Sequence, residues 1–438
     1  MRRGLEALLL ALLPVAAAAQ VDLTDVAAHQ GQIVEAVEIE GREATREHVV
    51  TREIHTRVGE PLDRETIEED VQRLENLQVF SEIEIEVEAG REDHVRVRFV
   101  VREMPPWIPL VALTYTEQDG FSVGPGITAF NLTGRDIEVS GKAFFGGTTQ
   151  FQFYADWPWI TGDHRLGARL WAAHLDRYDT LNEFQEESTE FRPRVSRFLG
   201  ENGRLAGELQ LFKMRSDQPG ETLSATNEDL LVALGVTLGW DTRNSWTNPS
   251  GGWQNELVLK KTGGFLGGDA DFWTFIADIR RWQSTFPRQR VLLSGLMSLQ
   301  SGTVGVDFPQ YLLYRLGGAN TVRGYDVEKL GRELFGRNQM IGTVEYSYAL
   351  VPKRRFDIWK FSFRLGLEVA VFGDVGVAWS EGRDLNSKRT RAGLGSGLRV
   401  LIPGAQMFRL DVGWSPEGGF RFHFAGSTKP ERQRDRIR

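Results

Sequence analysis

From Val111 to Phe424, bulky apolar side chains alternate with small, polar or charged ones. Val232, Leu234, Val236, Leu238 and Trp240 alternate with Ala233, Gly235, Thr237 and Gly239. Phe408, Leu410, Val412 and Trp414 alternate with Arg409, Asp411 and Gly413. Phe151 and Phe153 alternate with Gln152 and Tyr154, and Leu398, Val400 and Ile402 with Arg399 and Leu401. A period of two is the signature of a strand with two unlike faces. A soluble sandwich also alternates, but its inner face is dry. Arg364, Glu368, Arg409 and Asp411 on that face would carry a heavy desolvation cost unless paired. A wet lumen inside and lipid outside remove the conflict. Backbone groups in lipid must all be hydrogen-bonded, so such a sheet has to close on itself. At roughly 20 residues per strand and turn, residues 111–424 predict an all-β transmembrane barrel of about 16 antiparallel strands.

Composition agrees with that architecture and excludes others. No apolar run after the N-terminus reaches the ~18 residues of a spanning helix. Gly 47, Phe 26 and Trp 12 supply turns and interfacial rings. Trp157, Trp159, Trp246, Trp253 and Trp282 fall near strand ends, where an aromatic girdle belongs. Pro249 to Gly252 and Gly263-Gly264 read as short turns, and Asn182 to Thr189 and Ser216 to Glu228 as polar loops. The net charge of −8 argues against a nucleic-acid partner. No cysteine is present, so disulfides, zinc thiolates and a cysteine nucleophile are excluded. The seven histidines are dispersed, without metal-ligand spacing, and Ser396 misses the nucleophile elbow because Leu394 occupies its first glycine position. The chain therefore reads as a non-enzyme with no metal and no cofactor.

The stretch before the barrel is organised differently. Residues 1–19 have a basic start, an apolar middle and an alanine run before Gln20, the pattern of a secretory signal peptide. Residues 33–102 read as a βααββ unit. Thr45 is placed as the cap of a first short helix and Asp63 as the cap of a second, with Ile67, Val71 and Leu74 on one face. Two alternating strands follow, one through Phe80, Ile83, Ile85 and Val87, the other through Val95, Val97, Phe99 and Val101. A free edge of such a sheet can accept an extended peptide. Residues 103–110 read as a stiff Pro-rich linker and 425–438 as a basic C-terminal tail. The small unit resembles a POTRA domain, a periplasmic module. The likeness rests on Ile39-Glu40-Gly41, Gly59-Glu60-Pro61-Leu62, Ile67 with Asp70 and Arg73-Leu74, and Val79-Phe80-Ser81.

Gly317 to Tyr325 is too rich in glycine, and too interrupted by one arginine, for a comfortable strand. It reads as a loop folded back into the lumen. An arginine there needs carboxylate partners for its five fixed donors. Glu345 and Asp374 stand on strands soon after it, in a register that can point both inward. Gly324 permits a tight turn and Tyr325 can pack on the wall.

Val322-Arg323-Gly324-Tyr325 resembles the signature loop of BamA/TamA-type outer-membrane assembly factors, of the bacterial surface antigen type. The Glu345-Tyr346 strand, the Phe372-x-Asp374-x-Gly376 strand, the Asp241-x-Arg243 motif and Arg409-Leu410-Asp411 resemble its accompanying motifs. The resemblance covers about residues 33–424. It implies that Arg323 bonds to Asp374, with Glu345 as a second acceptor. It further implies the outer membrane of a Gram-negative bacterium, with the POTRA-like unit in the periplasm. The implied function is assembly, insertion or translocation. A client β-strand or secreted protein would be held at the POTRA edge and at a seam between first and last strands, with the lipid bilayer and other periplasmic or inner-membrane subunits as further partners. A dedicated transporter of the two-partner-secretion kind and a passive channel stay open. The single POTRA-like unit and the tail after Phe424 depart from the family pattern.

Overall fold

The computed structural model describes residues 23–116, 120–161, 165–180, 183–326, 334–358, 361–382, 385–401 and 408–425. The expected signal peptide lies outside these residues, as does the expected tail beyond Ala425.

A short helix, α1 (Thr24–Ala28), precedes the small unit, and the sequence reading lacked it. The unit itself is β1 (Ile33–Glu40), α2 (Glu47–Thr51), α3 (Arg64–Asn76), β2 (Phe80–Ala89) and β3 (His94–Glu103). Its sheet has the order β1-β3-β2, with β1 parallel to β3. The apolar phase of β2 and β3 meets the helix stripe, so Ile83, Ile85, Val97 and Phe99 are buried against Val50, Ile67 and Leu74. Asp63 caps α3 by accepting from the Thr66 amide at 2.9 Å. Thr45 does not cap α2. Arg46 holds that position, and the Thr45 hydroxyl instead accepts from Asn131 of the barrel at 2.7 Å. Asp70 is fully buried and accepts from the His55 and Thr56 amides, the Thr56 hydroxyl and Arg73. That explains an acid in the apolar middle of a helix: it ties down the backbone between the two helices.

Sixteen strands form one antiparallel sheet. They begin with β4 (Ile108–Thr116), β5 (Gly120–Leu132), β6 (Ile137–Gly146), β7 (Thr148–Thr161) and β8 (Leu166–Asp179). Then come β9 (Phe184–Leu199), β10 (Gly203–Ser216), β11 (Glu228–Asp241), β12 (Gly252–Gly263), β13 (Asp271–Ser284) and β14 (Gln289–Gln300). A separate two-stranded ribbon, β15 (Tyr314–Arg315) with β16 (Phe335–Gly336), interrupts the series. The sheet resumes with β17 (Asn338–Ile358), β18 (Phe361–Trp379), β19 (Arg391–Leu401), β20 (Phe408–Ser415) and β21 (Gly419–Ala425). The sheet curls until β21 lies beside β4. Among the described residues no backbone ladder joins these two strands.

Facing follows the alternation. Leu234, Val236, Leu238 and Trp240 are exposed on the outside, as are Phe151, Phe153, Leu398, Leu410 and Trp414. Glu368, Arg399, Asp411 and Glu345 are buried on the inside. The side chain of Arg364 lies outside the description.

Three expectations need correction. The linker is shorter than 103–110, because β3 runs to Glu103 and β4 starts at Ile108. Pro109 is tolerated there because an edge strand leaves one row of amides without a ladder partner. The loop placed at Asn182 to Thr189 is mostly strand, since β9 begins at Phe184. Its polar residues pair across the ladder instead of looping out, Glu186 with Arg177 at 2.7 Å and Thr189 with His174 at 3.0 Å. The girdle reading fails for Trp282, which is buried on the inward phase of β13 with Arg243 over its ring at 5.7 Å. Trp246 belongs to an inward turn, and Trp159 receives Arg52 of the small unit at 4.9 Å. Trp253 is exposed as expected.

Antiparallel alternation puts the turns at 133–136, 200–202, 242–251 and 285–288 on the side from which the chain enters β4. The small unit docks on that rim. Arg52 pairs with Asp136 at 3.0 Å, and the Arg46 amide donates to the Gly134 carbonyl at 2.9 Å. Between α3 and the rim lies a cavity of about 1790 Å³.

Candidate functional site: the seated lumen loop

The described parts of the segment joining β14 to β17, residues 301–326 and 334–337, leave the far rim and fold into the lumen. Its apolar residues leave water together: Leu316, Val322, Tyr325, Leu334 and Phe335 pack with Leu296, Ile341 and Ala378 of the wall. Thr321 braces the turn, its hydroxyl accepting from the Gly317 amide at 2.7 Å and donating to the Gly317 carbonyl at 2.6 Å. Farther out, Tyr311 donates to Asp229 at 2.9 Å and Arg315 to Asp179 at 3.0 Å.

This packing carries Arg323 to the wall, where it is 3% exposed. Its Nε donates to Asp374 Oδ2 at 2.7 Å and its Nη2 to Asp374 Oδ1 at 2.9 Å, a bidentate pair. Its own amide adds a third bond to Asp374 at 3.1 Å. Nη1 reaches Glu345 at 3.0 Å and Asp411 at 3.1 Å. The guanidinium also lies over the Phe372 ring, 3.3 Å from its centroid.

Three acids around one arginine would leave excess negative charge. Arg399, 0% exposed, supplies a second positive charge. It donates to Glu345 at 2.8 and 3.2 Å and also to Asp411. Arg409 holds the loop from its other side through the Ala319 carbonyl and Asn320.

Backbone shape completes the seat. Gly324 has φ +97°, and a Cβ there would stand 2.7 Å from the backbone of Trp414. Three wall glycines face it. A Cβ on Gly393 would lie 1.9 Å from the Arg323 carbonyl, one on Gly413 2.5 Å from the Gly324 amide, and one on Gly418 2.1 Å from the Gly324 carbonyl. The loop thus lies directly on the backbone of β19 and β20, which only glycine allows. His423 of β21 accepts from the Gly324 amide at 3.0 Å, and Ser415 donates to its carbonyl at 2.6 Å. Tyr325 donates to the Ala392 carbonyl at 3.3 Å.

The expected residues Val322, Arg323, Gly324, Tyr325, Glu345 and Asp374 therefore meet. Asp411, expected only as part of a late-strand motif, joins them. Asp241 and Arg243 do not; they pair with each other at 2.9 and 2.5 Å in the 242–251 turn on the opposite rim. Sequence reasoning missed Arg399, Ser415, His423 and the three glycines. Arg399 carried a usable signal, an arginine in the inward phase between Leu398 and Val400.

Residues 131–429, more than half of the chain, match the Omp85 superfamily domain. The chain belongs to the Omp85 superfamily. Residues 32–104 match the POTRA family, described as surface antigen variable number repeat. The outer membrane protein assembly factor BamA of Nitratidesulfovibrio vulgaris is 23% identical over 385 residues, 84% of this Omp85 chain and 46% of that protein. The chain thus spans about half the length of that relative. BamA from Haemophilus ducreyi lacking POTRA domains 1–3 superposes with a TM-score of 0.56 at 15% identity, covering 90% of this chain and 84% of that one. CdiB from Escherichia coli superposes with a TM-score of 0.58 at 15% identity, covering 91% and 75%. Both similarities describe the fold.

Proposed function

We propose that this Omp85 chain is an outer-membrane assembly or insertion factor for polypeptides, with its POTRA domain in the periplasm of a Gram-negative bacterium. The observation that carries the reading is a pairing of two features. A lumen loop is seated through Arg323, and the strand next to that seat, β21, has no ladder to β4 among the described residues. Unpaired backbone groups in lipid are costly, so the two edges favour any strand that can pair with them. A client β-strand supplies such pairing, and its own folding and burial supply the free energy. No nucleotide is required. The seated loop acts as a latch that fixes the inner faces of β18 to β21 while the seam exchanges partners.

The POTRA sheet offers a place to hold a client beforehand. β2 is an edge strand, whereas the start of β1 is already covered by residues 59–61. An incoming strand is therefore expected along β2.

The test uses the absence of native cysteine. One cysteine on β4 and a facing one on β21 are oxidised to lock the seam. Client insertion should stop on oxidation and return on reduction. Unchanged insertion by the oxidised protein would refute a seam mechanism and favour transport through the lumen.

A further inference from the structure

The Asp241-Arg243 motif takes no part in the loop seat, yet it builds a second inward structure. Besides pairing with Asp241, Arg243 donates from Nη1 to the Trp246 carbonyl at 3.2 Å. Asn244 accepts from the Ser250 and Gly251 amides at 3.1 and 3.2 Å, closing the turn across its base. A turn fastened so thoroughly has a fixed tip.

That tip has two partners on opposite sides. Toward the lumen, Asn248 donates to Glu368 of β18 at 2.9 Å and accepts from Arg290 of β14. Arg290 also donates to the Pro249 carbonyl at 2.9 Å and to Glu368 at 2.6 Å. Toward the periplasmic unit, Asn76 at the end of α3 makes a two-sided amide contact. It donates to the Asn244 carbonyl at 3.2 Å and accepts from the Trp246 amide at 3.1 Å. The turn starts between β11 and β12, so in reaching β18 it passes inside the intervening strands.

The inner end of this bridge borders the loop seat. Glu368 is the cross-strand neighbour of Arg399, and Arg399 grips the same Glu345 and Asp411 that hold Arg323. Polar contacts thus run from the POTRA helix through the turn to Glu368, which stands across the strand pair from the arginine that grips the loop's acids. We infer that the Thr242–Gly251 turn is a strut that couples docking of the POTRA domain to seating of the lumen loop. Undocking removes the outer support of the turn, loosens the Arg290–Glu368 end, and so weakens the wall that holds Arg323. The inference deepens the latch reading above, because it names what regulates that latch.

Two position readouts test it without any client, so they stand apart from the insertion assay. A nitroxide on Ala319→Cys reports loop mobility. In the parent chain its spectrum should be that of an immobilised label. Asn76→Ala, and independently Asn248→Ala, should each add a mobile component, although neither residue touches the loop. Thermodynamic coupling is reciprocal. Nitroxides on Glu68→Cys of α3 and Thr285→Cys of the rim should therefore give one narrow distance population, which broadens in Arg323→Ala. A loop label that stays immobilised in both asparagine variants, or a distance population unchanged by Arg323→Ala, would overturn the strut. Two variants on opposite sides of the turn guard against misfolding in one of them, and the unlabelled β-sheet signal checks that each still folds.

Discussion

Truncating Arg323 to alanine should free the lumen loop without opening the barrel. Both side-chain oxygens of Asp374 are held by this one guanidinium, and the carboxylate has no exposed surface. In Arg323→Ala, among the described residues, it keeps only the loop's own amide, whose position then depends on a loop that has lost its main ion pair. Glu345 and Asp411 lose one bond each but retain Arg399. The variant is therefore one broken buried pair, and removing one partner of such a pair costs about 3–5 kcal/mol. Converted to an equilibrium, that is a roughly hundred- to few-thousand-fold loss of the seated state. Arg323→Lys should recover part of the loss, because an ammonium keeps the charge but not the two-pronged geometry. The assay is amide hydrogen exchange at Gly324, whose N–H is sheltered by His423. Exchange in Arg323→Ala should accelerate by that factor. The double variant Arg323→Ala with Asp374→Ala should exchange more slowly than the single one, because no unpaired carboxylate is left behind. Wild-type exchange at Gly324 in Arg323→Ala would refute the argument that the ion pair, rather than the apolar packing, seats the loop.

Gly393→Ala should unseat the loop as fully as Arg323→Ala does, because its methyl group would stand 1.9 Å from the Arg323 carbonyl; the same exchange measurement reads it. Asp70→Asn should destabilise the POTRA domain by about 3–5 kcal/mol, since it leaves Arg73 facing a neutral amide and turns an acceptor into a donor beside the His55 and Thr56 amides; the thermal unfolding of that domain in the full chain reads it. Burial raises the Glu103 pKa, but bonds from the Thr45 side chain and from the Thr45, Ala44 and Glu43 amides outweigh it and leave the group below its usual value. A depressed carboxyl stabilises the fold above its unfolded pKa and loses that contribution as pH falls through the folded one. Protection of the Ala44 and Thr45 amides should therefore fall in acid below about pH 4 and become nearly pH-independent in Glu103→Gln.

Most of the architecture was legible because the membrane enforces it. Lipid on one side and water on the other give the strands from Val232 to Trp240 and from Phe408 to Trp414 a clean period of two, and strand number follows from length. The loop seat was legible at Arg323, Glu345 and Asp374 because charge in an inward phase demands a partner. The rest of the seat depends on which strands lie side by side after an excursion of more than thirty residues, and local pattern does not encode that. Arg399 and His423 belong to strands with the same alternation as any other, so their phase marks them as inward but not as neighbours of the loop. Gly393, Gly413 and Gly418 looked like ordinary barrel glycines; only the loop lying on them explains them. The tryptophan readings that failed did so for a related reason. Position near a strand end does not say which face a ring takes, and Trp282 and Trp159 are turned toward Arg243 and Arg52. The loop expected at 182–189 failed because polar composition was read as exposure. Beyond the lipid a strand can be polar on both faces when its ladder supplies partners, as Arg177 does for Glu186.

The proposed insertion role requires the seated loop and the POTRA domain together. The most direct measurement places the purified full chain in liposomes and follows the folding rate of an unrelated outer-membrane barrel. Arg323→Ala and a version lacking residues 33–102 are run beside it. Faster folding with the parent chain, lost in both variants, is the predicted result. No acceleration by the parent chain, together with solute efflux or export of a single co-expressed partner, would contradict the account and assign the chain to a dedicated transporter or channel.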